Sequence, residues 1–220
     1  MQREYKIILI AYVIMQLTSG VGAYLTSLFL RVAGIDAENL FMLASVSWLT
    51  ISFSVTALIV IIQLRKAKSD RHPKASAFLP TVFWSIFGVF LVLLVQGLMI
   101  YIESLFGIEP GSENTEQLLL IIEQIPLFNI VIIALGPFLE EIVFRKIIFG
   151  YFYQRSNALI AAIISACLFS IAHMELEHFL LYTGIGLVFA FLYYRTKRII
   201  VPIMSHILMN AFVVMESFLL

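Results

Sequence analysis

Gly136-Pro-Phe-Leu-Glu-Glu-Ile-Val-Phe-Arg-Lys146 sets two adjacent carboxylates, Glu140 and Glu141, and then the guanidinium of Arg145 into a run that is apolar on both sides. An ionised carboxylate in hydrocarbon is costly unless it is paired, protonated or wetted. The rest of the chain decides whether hydrocarbon is what surrounds this stretch. Of the 220 residues, 61% are hydrophobic and 13% charged, against about a quarter charged in a soluble domain. The mean hydropathy is +1.00. The solvent that suits such a composition is a bilayer. The formal net charge is zero, so nothing points to nucleic acid. Cys167 is the single cysteine, which excludes an intramolecular disulfide and a cysteine zinc cage and reads as a small apolar filler. Met-Gln-Arg-Glu-Tyr-Lys leads into a long apolar run with no A-x-A-like cleavage site, so the first span is expected to be retained.

Apolar runs of roughly 20 residues between charged or turn-rich breaks predict an all-α, polytopic transmembrane helix bundle. The first span is expected at about Tyr5–Leu30, with Gly20 and Gly22 suited to close helix packing. A short loop with Asp36 and Glu38 leads to the second, about Leu40–Leu64. A basic segment follows, with Arg65, Lys66, Lys68, Arg71 and Lys74, and Pro73 to break any helix. The third span, about Ala77–Ile102, precedes an acidic loop, Glu103–Gln117, holding Glu109, Glu113 and Glu116. The fourth begins near Leu118 and runs on to Tyr153, with Pro126 at its start and Pro137 at a kink. It exceeds one membrane thickness, so part of it is expected at the interface. The fifth, sixth and seventh are placed at about Ala158–Met174, Phe179–Tyr194 and Ile199–Leu220. That makes seven spans, or eight if the fourth divides. Residues 1–117 carry three spans without a motif, and residues 118–220 carry all the candidate site residues.

Lysine and arginine gather before span one, between two and three, after four, and between six and seven. The loops after spans one, three and five are mainly acidic. The positive-inside rule then puts the N-terminus in the cytoplasm and the C-terminus outside.

Glu141 and Arg145 are four apart, so a helix brings them to one face as an ion pair. Glu140 points about 100° away and is the freer carboxylate, placed to accept a proton from water. The plainer reading is a pair of interfacial glutamates balanced by Arg145, Lys146 and Arg155. His173 shares a face with Phe169 four residues earlier. Alone it reads as a polar residue reaching the interface, as do His72 and His178, which fall in expected loops. His206 and Asn210 are again four apart, well inside the last span, where two polar side chains need partners. They serve either as helix–helix glue or as a donor pair for an oxyanion. Together these residues put Glu, Glu, Arg, His, His and Asn on three helices of one small bundle, which is the pattern of a site.

Glu140-Glu-Ile-Val-Phe-Arg145, Phe169-Ser-Ile-Ala-His173 and His206-Ile-Leu-Met-Asn210 resemble three ordered motifs, E-E-x-x-x-R, F-x-x-x-H and H-x-x-x-N/D. These belong to the CPBP family of intramembrane proteases, which includes CAAX prenyl endopeptidases and bacteriocin-processing or self-immunity proteins and is also called the Abi family. The resemblance covers about Leu118–Leu220. It implies that Glu140 is the general base, that His173 assists proton transfer, and that His206 and Asn210 stabilise an oxyanion. Glu141 and Arg145 would orient the site. It also implies a lipid bilayer around the protein, expected to be the plasma membrane of a bacterium, and a peptide or membrane-protein substrate. No cofactor is expected in the glutamate–water form. The zinc-dependent alternative would use Glu140, His173 and His206 as ligands. There is no H-E-x-x-H, and neither G-x-S-G nor G-x-G-D for serine or aspartyl chemistry. Two other classes remain open: a non-catalytic immunity or scaffold protein, and a small proton-coupled carrier.

The topology raises a difficulty of depth. Span five runs outward and puts His173 near its outer end. His206 lies only about 10 Å into span seven from the inside, at 1.5 Å per residue. A common site then requires span five to start deeper, or tilt and a re-entrant segment after His173.

Overall fold

Residues 1–35, 39–68 and 75–219 are described in the computed structural model, the side chains at 113–116, 123 and 127 excepted. Asp36, Glu38, Arg71, His72, Pro73 and Lys74 lie outside the described residues, as do the side chains of Glu113 and Glu116. The described residues fold into helices with no strand among them, as the apolar runs require. They form two compact units, Met1–Lys68 with Leu120–Leu139, and Ser69–Leu119 with Glu140–Leu220. Each unit draws chain from both sides of residue 117.

The first unit contains α1 (Arg3–Leu17), α2 (Ser19–Val32) and α3 (Leu40–Lys66), with α3 packed against both others. The expected first span is bent by 59° where α1 meets α2. Thr18 Oγ1 donates to the Ile14 carbonyl at 2.7 Å and Ser19 Oγ to that of Gln16 at 3.0 Å, so hydroxyls occupy carbonyls at the break. Gly22 sits where a Cβ would collide with the Trp48 indole, which explains the close approach of α2 and α3. Gly20 faces open space, so the packing role expected of it falls to Gly22 alone.

The long fourth span is a succession of short helical pieces. α5 (Glu113–Gln124) takes up part of what reads as an acidic loop. A 3₁₀ turn (Pro126–Phe128) opens at the expected proline. A π-helical turn (Val131–Leu135) then leads into α6 (Gly136–Glu140) without a break, so Pro137 lies inside a continuous helical run just past the wide turn. A π-helical segment (Glu141–Phe149) and α7 (Gly150–Tyr153) complete it. Wide π-turns are rare and concentrate at functional sites. The second one starts on Glu141.

In the second unit α9 (Phe179–Thr196) is the central helix, in contact with α4 (Phe78–Leu105), α8 (Ala158–Ala172), α10 (Ile200–Ser217) and the π-helical segment 141–149. Asn157 caps α8 by accepting the Ile160 N–H at 3.0 Å. Met174, with φ at 61°, takes the left-handed conformation that stops α8 just past His173. Gly186 lets α8 and α9 touch: a Cβ there would lie 3.0 Å from the Ala166 backbone and 3.4 Å from Phe169. Among the described residues, α3, α4, α9 and α10 are each long and apolar enough to cross a membrane, and the bent α1–α2 pair brings the number to five. The expected all-α polytopic architecture holds.

Two expectations near the end of α4 are corrected. Glu103 is not a loop acid: α4 continues to Leu105 and leaves Glu103 2% exposed. Its carboxylate pairs with His178 Nδ1 at 2.9 Å and accepts the Leu181 N–H at 2.9 Å. His178 is therefore buried at the start of α9, not a histidine reaching for the interface. A buried carboxylate needs such partners, and the free N–H groups of a helix start supply them.

Candidate active site

Glu141 is fully buried, and its carboxylate has two partners. Arg145 Nε stands 3.1 Å from Oε2, and Arg145 is itself fully buried. His206 Nδ1, carried in from α10, stands 3.0 Å from Oε1. The i, i+4 spacing accounts for the first contact, and only the fold accounts for the second. The guanidinium lies over aromatic faces, 4.4 Å from the Phe169 centroid and 5.4 Å from that of Phe189. Rings that bury a guanidinium also hold it electrostatically.

Glu140, one residue earlier, behaves as the freer carboxylate. Its side chain is 20% exposed where that of Glu141 is not exposed at all. His206 Nε2 is 3.8 Å from Glu140 Oε2. That separation is an ion-pair distance, longer than a hydrogen bond, so the two groups face each other without being locked together. His206 thus stands between both glutamates, one at each ring nitrogen. Its ring stacks on Phe189 at 4.6 Å and 23°.

His173 closes α8, with Nδ1 2.8 Å from the Phe169 carbonyl. A carbonyl only accepts, so Nδ1 carries the proton and Nε2 holds the lone pair. Glu140, Arg145 and His206 are all near enough to His173 to act on it electrostatically. The difficulty of depth disappears. Phe169 neighbours both imidazoles, its centroid 4.4 Å from His173 and 6.2 Å from His206. The 15 residues of α8 reach only about 22 Å, short of the roughly 30 Å hydrocarbon layer. Its end is therefore not driven to the outer surface. Asn210 follows His206 by one turn of α10 and is partly buried.

Ser165 Oγ on α8 donates to the Phe144 carbonyl at 2.7 Å, tying α8 to the π-helical segment. On α9, Tyr182, Gly186 and Phe189 share one face. Tyr182 stacks on His173, Phe189 stacks on His206, and Phe169 packs against Gly186 between them. Sequence reading misses both rings. The signal was an aromatic–small–aromatic pattern at i, i+4 and i+7 in the span between the two histidine helices.

Among the described residues no three His, Cys, Asp or Glu side chains form a group that could hold a metal ion. Each imidazole has Nδ1 on a protein acceptor, Glu141 for His206 and the Phe169 carbonyl for His173, which leaves Nε2 of both rings for chemistry.

Residues 122–212 match the family model described as type II CAAX prenyl endopeptidase Rce1-like. The "Putative membrane peptidase YdiL" of Bacillus subtilis (strain 168) is 41% identical over 217 residues, which cover 97% of this chain and 89% of that protein. The chain belongs to the CPBP family of intramembrane proteases. The "Membrane-embedded CAAX protease MroQ" of Staphylococcus aureus (strain USA300) is 38% identical over 143 residues, 62% of this chain and 58% of that protein. No solved structure matches the chain. This CPBP member is thus an integral bacterial membrane protein of a peptidase family, with a lipid bilayer around it and peptides as its general substrate class.

Proposed function

We propose that this chain is an intramembrane endopeptidase that hydrolyses a peptide bond near the membrane through a glutamate-activated water. The single observation behind this reading is the position of His206, with Nδ1 on the buried Glu141 and Nε2 facing the partly exposed Glu140. The base and the oxyanion donor then border one space.

Glu140 accepts a proton from water as its oxygen attacks the scissile carbonyl carbon. The carbonyl π bond becomes an oxyanion, which accepts hydrogen bonds from His206 Nε2–H and the Asn210 amide. With Nδ1–H donated to Glu141, His206 offers Nε2–H as an imidazolium. That form leaves two carboxylates, Glu140 and Glu141, balanced by two cations, Arg145 and His206. Collapse of the intermediate breaks the C–N bond. The proton taken by Glu140 reaches the departing amine with the help of His173 Nε2. No step is routed through zinc. Substrates of this chemistry include a lipidated C-terminus, a leader peptide or a peptide precursor. The names of the family model and of MroQ favour the first. The loop charges favour a cytoplasmic N-terminus.

The test uses purified protein in detergent or nanodiscs, with Glu140→Gln and His173→Ala assayed for peptide cleavage with and without a chelator. Loss of cleavage in both folded variants, with no chelator effect on the parent, is the expected result. Undiminished cleavage by Glu140→Gln defeats the mechanism. Loss with chelator and recovery with zinc replaces it by the metal-dependent version.

A further inference from the structure

We propose that Tyr182 is the positioning residue for His173 through its stacked ring, whose hydroxyl rests on Glu175 and Ser112. This rests on the reading of His173 as the group that assists proton transfer. The Nδ1 contact with the Phe169 carbonyl fixes the tautomer of His173 but leaves its ring free to pivot about that bond. What stops the pivot is the ring of Tyr182, stacked on the imidazole at 4.0 Å between centroids and 26° between planes. Phe169 bounds the imidazole from within its own helix at 4.4 Å, with a 60° tilt. The imidazole is thus fixed at one nitrogen and bounded by two rings, with Nε2 left for chemistry.

Tyr182 is itself tied down. Its hydroxyl donates to Glu175 Oε2 at 2.8 Å. Ser112 Oγ donates to the same oxygen at 2.8 Å and stands 2.9 Å from the Tyr182 hydroxyl. The backbone beneath it is anchored as well, since Glu103 on α4 accepts the Leu181 N–H one residue away. A buried phenol needs hydrogen-bond partners, and these also fix where its ring lies. A tyrosine with its ring against a base and its hydroxyl clamped is a supporting contact of the kind that sets a catalytic rotamer. The stacked, electron-rich face also favours the imidazole during the instant it carries an extra proton. Tyr182 touches His173 and acts through it.

The experiment compares kcat and KM of Tyr182→Phe, Tyr182→Leu, Glu175→Gln and His173→Ala, each checked for helicity and thermal unfolding against the parent. Tyr182→Phe keeps the stack and is expected to retain kcat within about threefold. Tyr182→Leu removes it and is expected to lower kcat about a hundredfold with KM unchanged, the scale of a displacement of about 1 Å at a reacting group. Glu175→Gln keeps both the ring and a hydrogen-bond acceptor for the phenol and is expected to stay within the same threefold. An unchanged kcat in folded Tyr182→Leu overturns the proposal, as does a rise in KM alone, which would make Tyr182 a substrate contact. Equal losses in the Phe and Leu variants overturn it too, by assigning the effect to the hydroxyl. If Tyr182→Leu does not fold, Tyr182→Phe decides: a large fall in kcat there refutes the stacking role, and retention together with loss in Tyr182→Trp, whose larger ring displaces the imidazole, supports it. Full activity in His173→Ala instead removes the reading of His173 beneath the proposal, which separates the two failures.

Discussion

Glu141 is shared: Oε2 faces Arg145 Nε at 3.1 Å and Oε1 faces His206 Nδ1 at 3.0 Å. One fully buried carboxylate thus neutralises the guanidinium beside it and orients the imidazole of another helix. The first task is structural, and the second belongs to the site.

These two tasks can be separated. Arg145→Met leaves a buried carboxylate with one partner fewer, and Glu141→Leu leaves a buried guanidinium without its partner on the same helix. Each is expected to cost about 3–5 kcal/mol. The double variant Glu141→Leu/Arg145→Met replaces both charges with apolar groups of similar size and is expected to recover most of that loss. It is not expected to recover cleavage, because His206 loses the acceptor that orients it. Thermal unfolding in detergent and peptide cleavage, measured on the same samples, check both halves. A double variant no more stable than the singles would show that Glu141 and Arg145 are not a coupled pair.

Asn210 lies one turn beyond His206 on the same helix. If it donates to the oxyanion, Asn210→Ala is expected to reduce kcat about 10²–10³-fold. KM is expected to change little, because the interaction forms only as charge develops on the carbonyl oxygen. A pure KM effect would instead make Asn210 a ground-state contact.

The sequence reveals the pairing of Glu141 with Arg145 and the freedom of Glu140 because both follow from helical spacing within one stretch. The spans are legible for the same reason, as long apolar runs signal membrane helices. What is not legible depends on contacts between helices. The second partner of Glu141 is 65 residues away, and nothing local to either residue announces it. Glu103 and His178 read as loop groups because each stands at the edge of an apolar run, yet they bury each other across 75 positions. The supposed mismatch in depth came from treating span five as a full crossing. A 15-residue helix that stops at His173 need not make one. Tyr182 and Phe189 escape notice because an aromatic in a membrane span is ordinary until its neighbour is known.

The charges in the loops predict an orientation that can be read on intact cells. Arg155 and Glu109 are both exposed and lie in segments expected on opposite sides of the membrane. With Cys167→Ser as background, Arg155→Cys is expected to resist a membrane-impermeant maleimide until the cells are opened. Glu109→Cys is expected to react at once. The reverse pattern would invert the orientation and put the basic loops outside.

Gly186 is where α8 and α9 touch, and Phe169 is within reach of any atom added there. A methyl group at this position would stand 3.0 Å from the Ala166 backbone and 3.4 Å from the Phe169 ring. Backbone cannot yield as a flexible side chain does, so the helices must part. Phe169 and His173 belong to α8, while His206 stacks on Phe189 of α9, so parting the helices moves one imidazole relative to the other. Gly186→Ala is therefore expected to cost about 1–3 kcal/mol through overpacking. It is also expected to reduce kcat by more than the stability loss explains, since a shift of about 1 Å at a reacting group can cost about a hundredfold. Gly20→Ala provides the control, because nothing lies within 4 Å of the added atom. It is expected to leave both unfolding and cleavage close to the parent. A Gly186→Ala protein with full kcat would mean that the spacing of α8 and α9 does not set the distance between the two histidines.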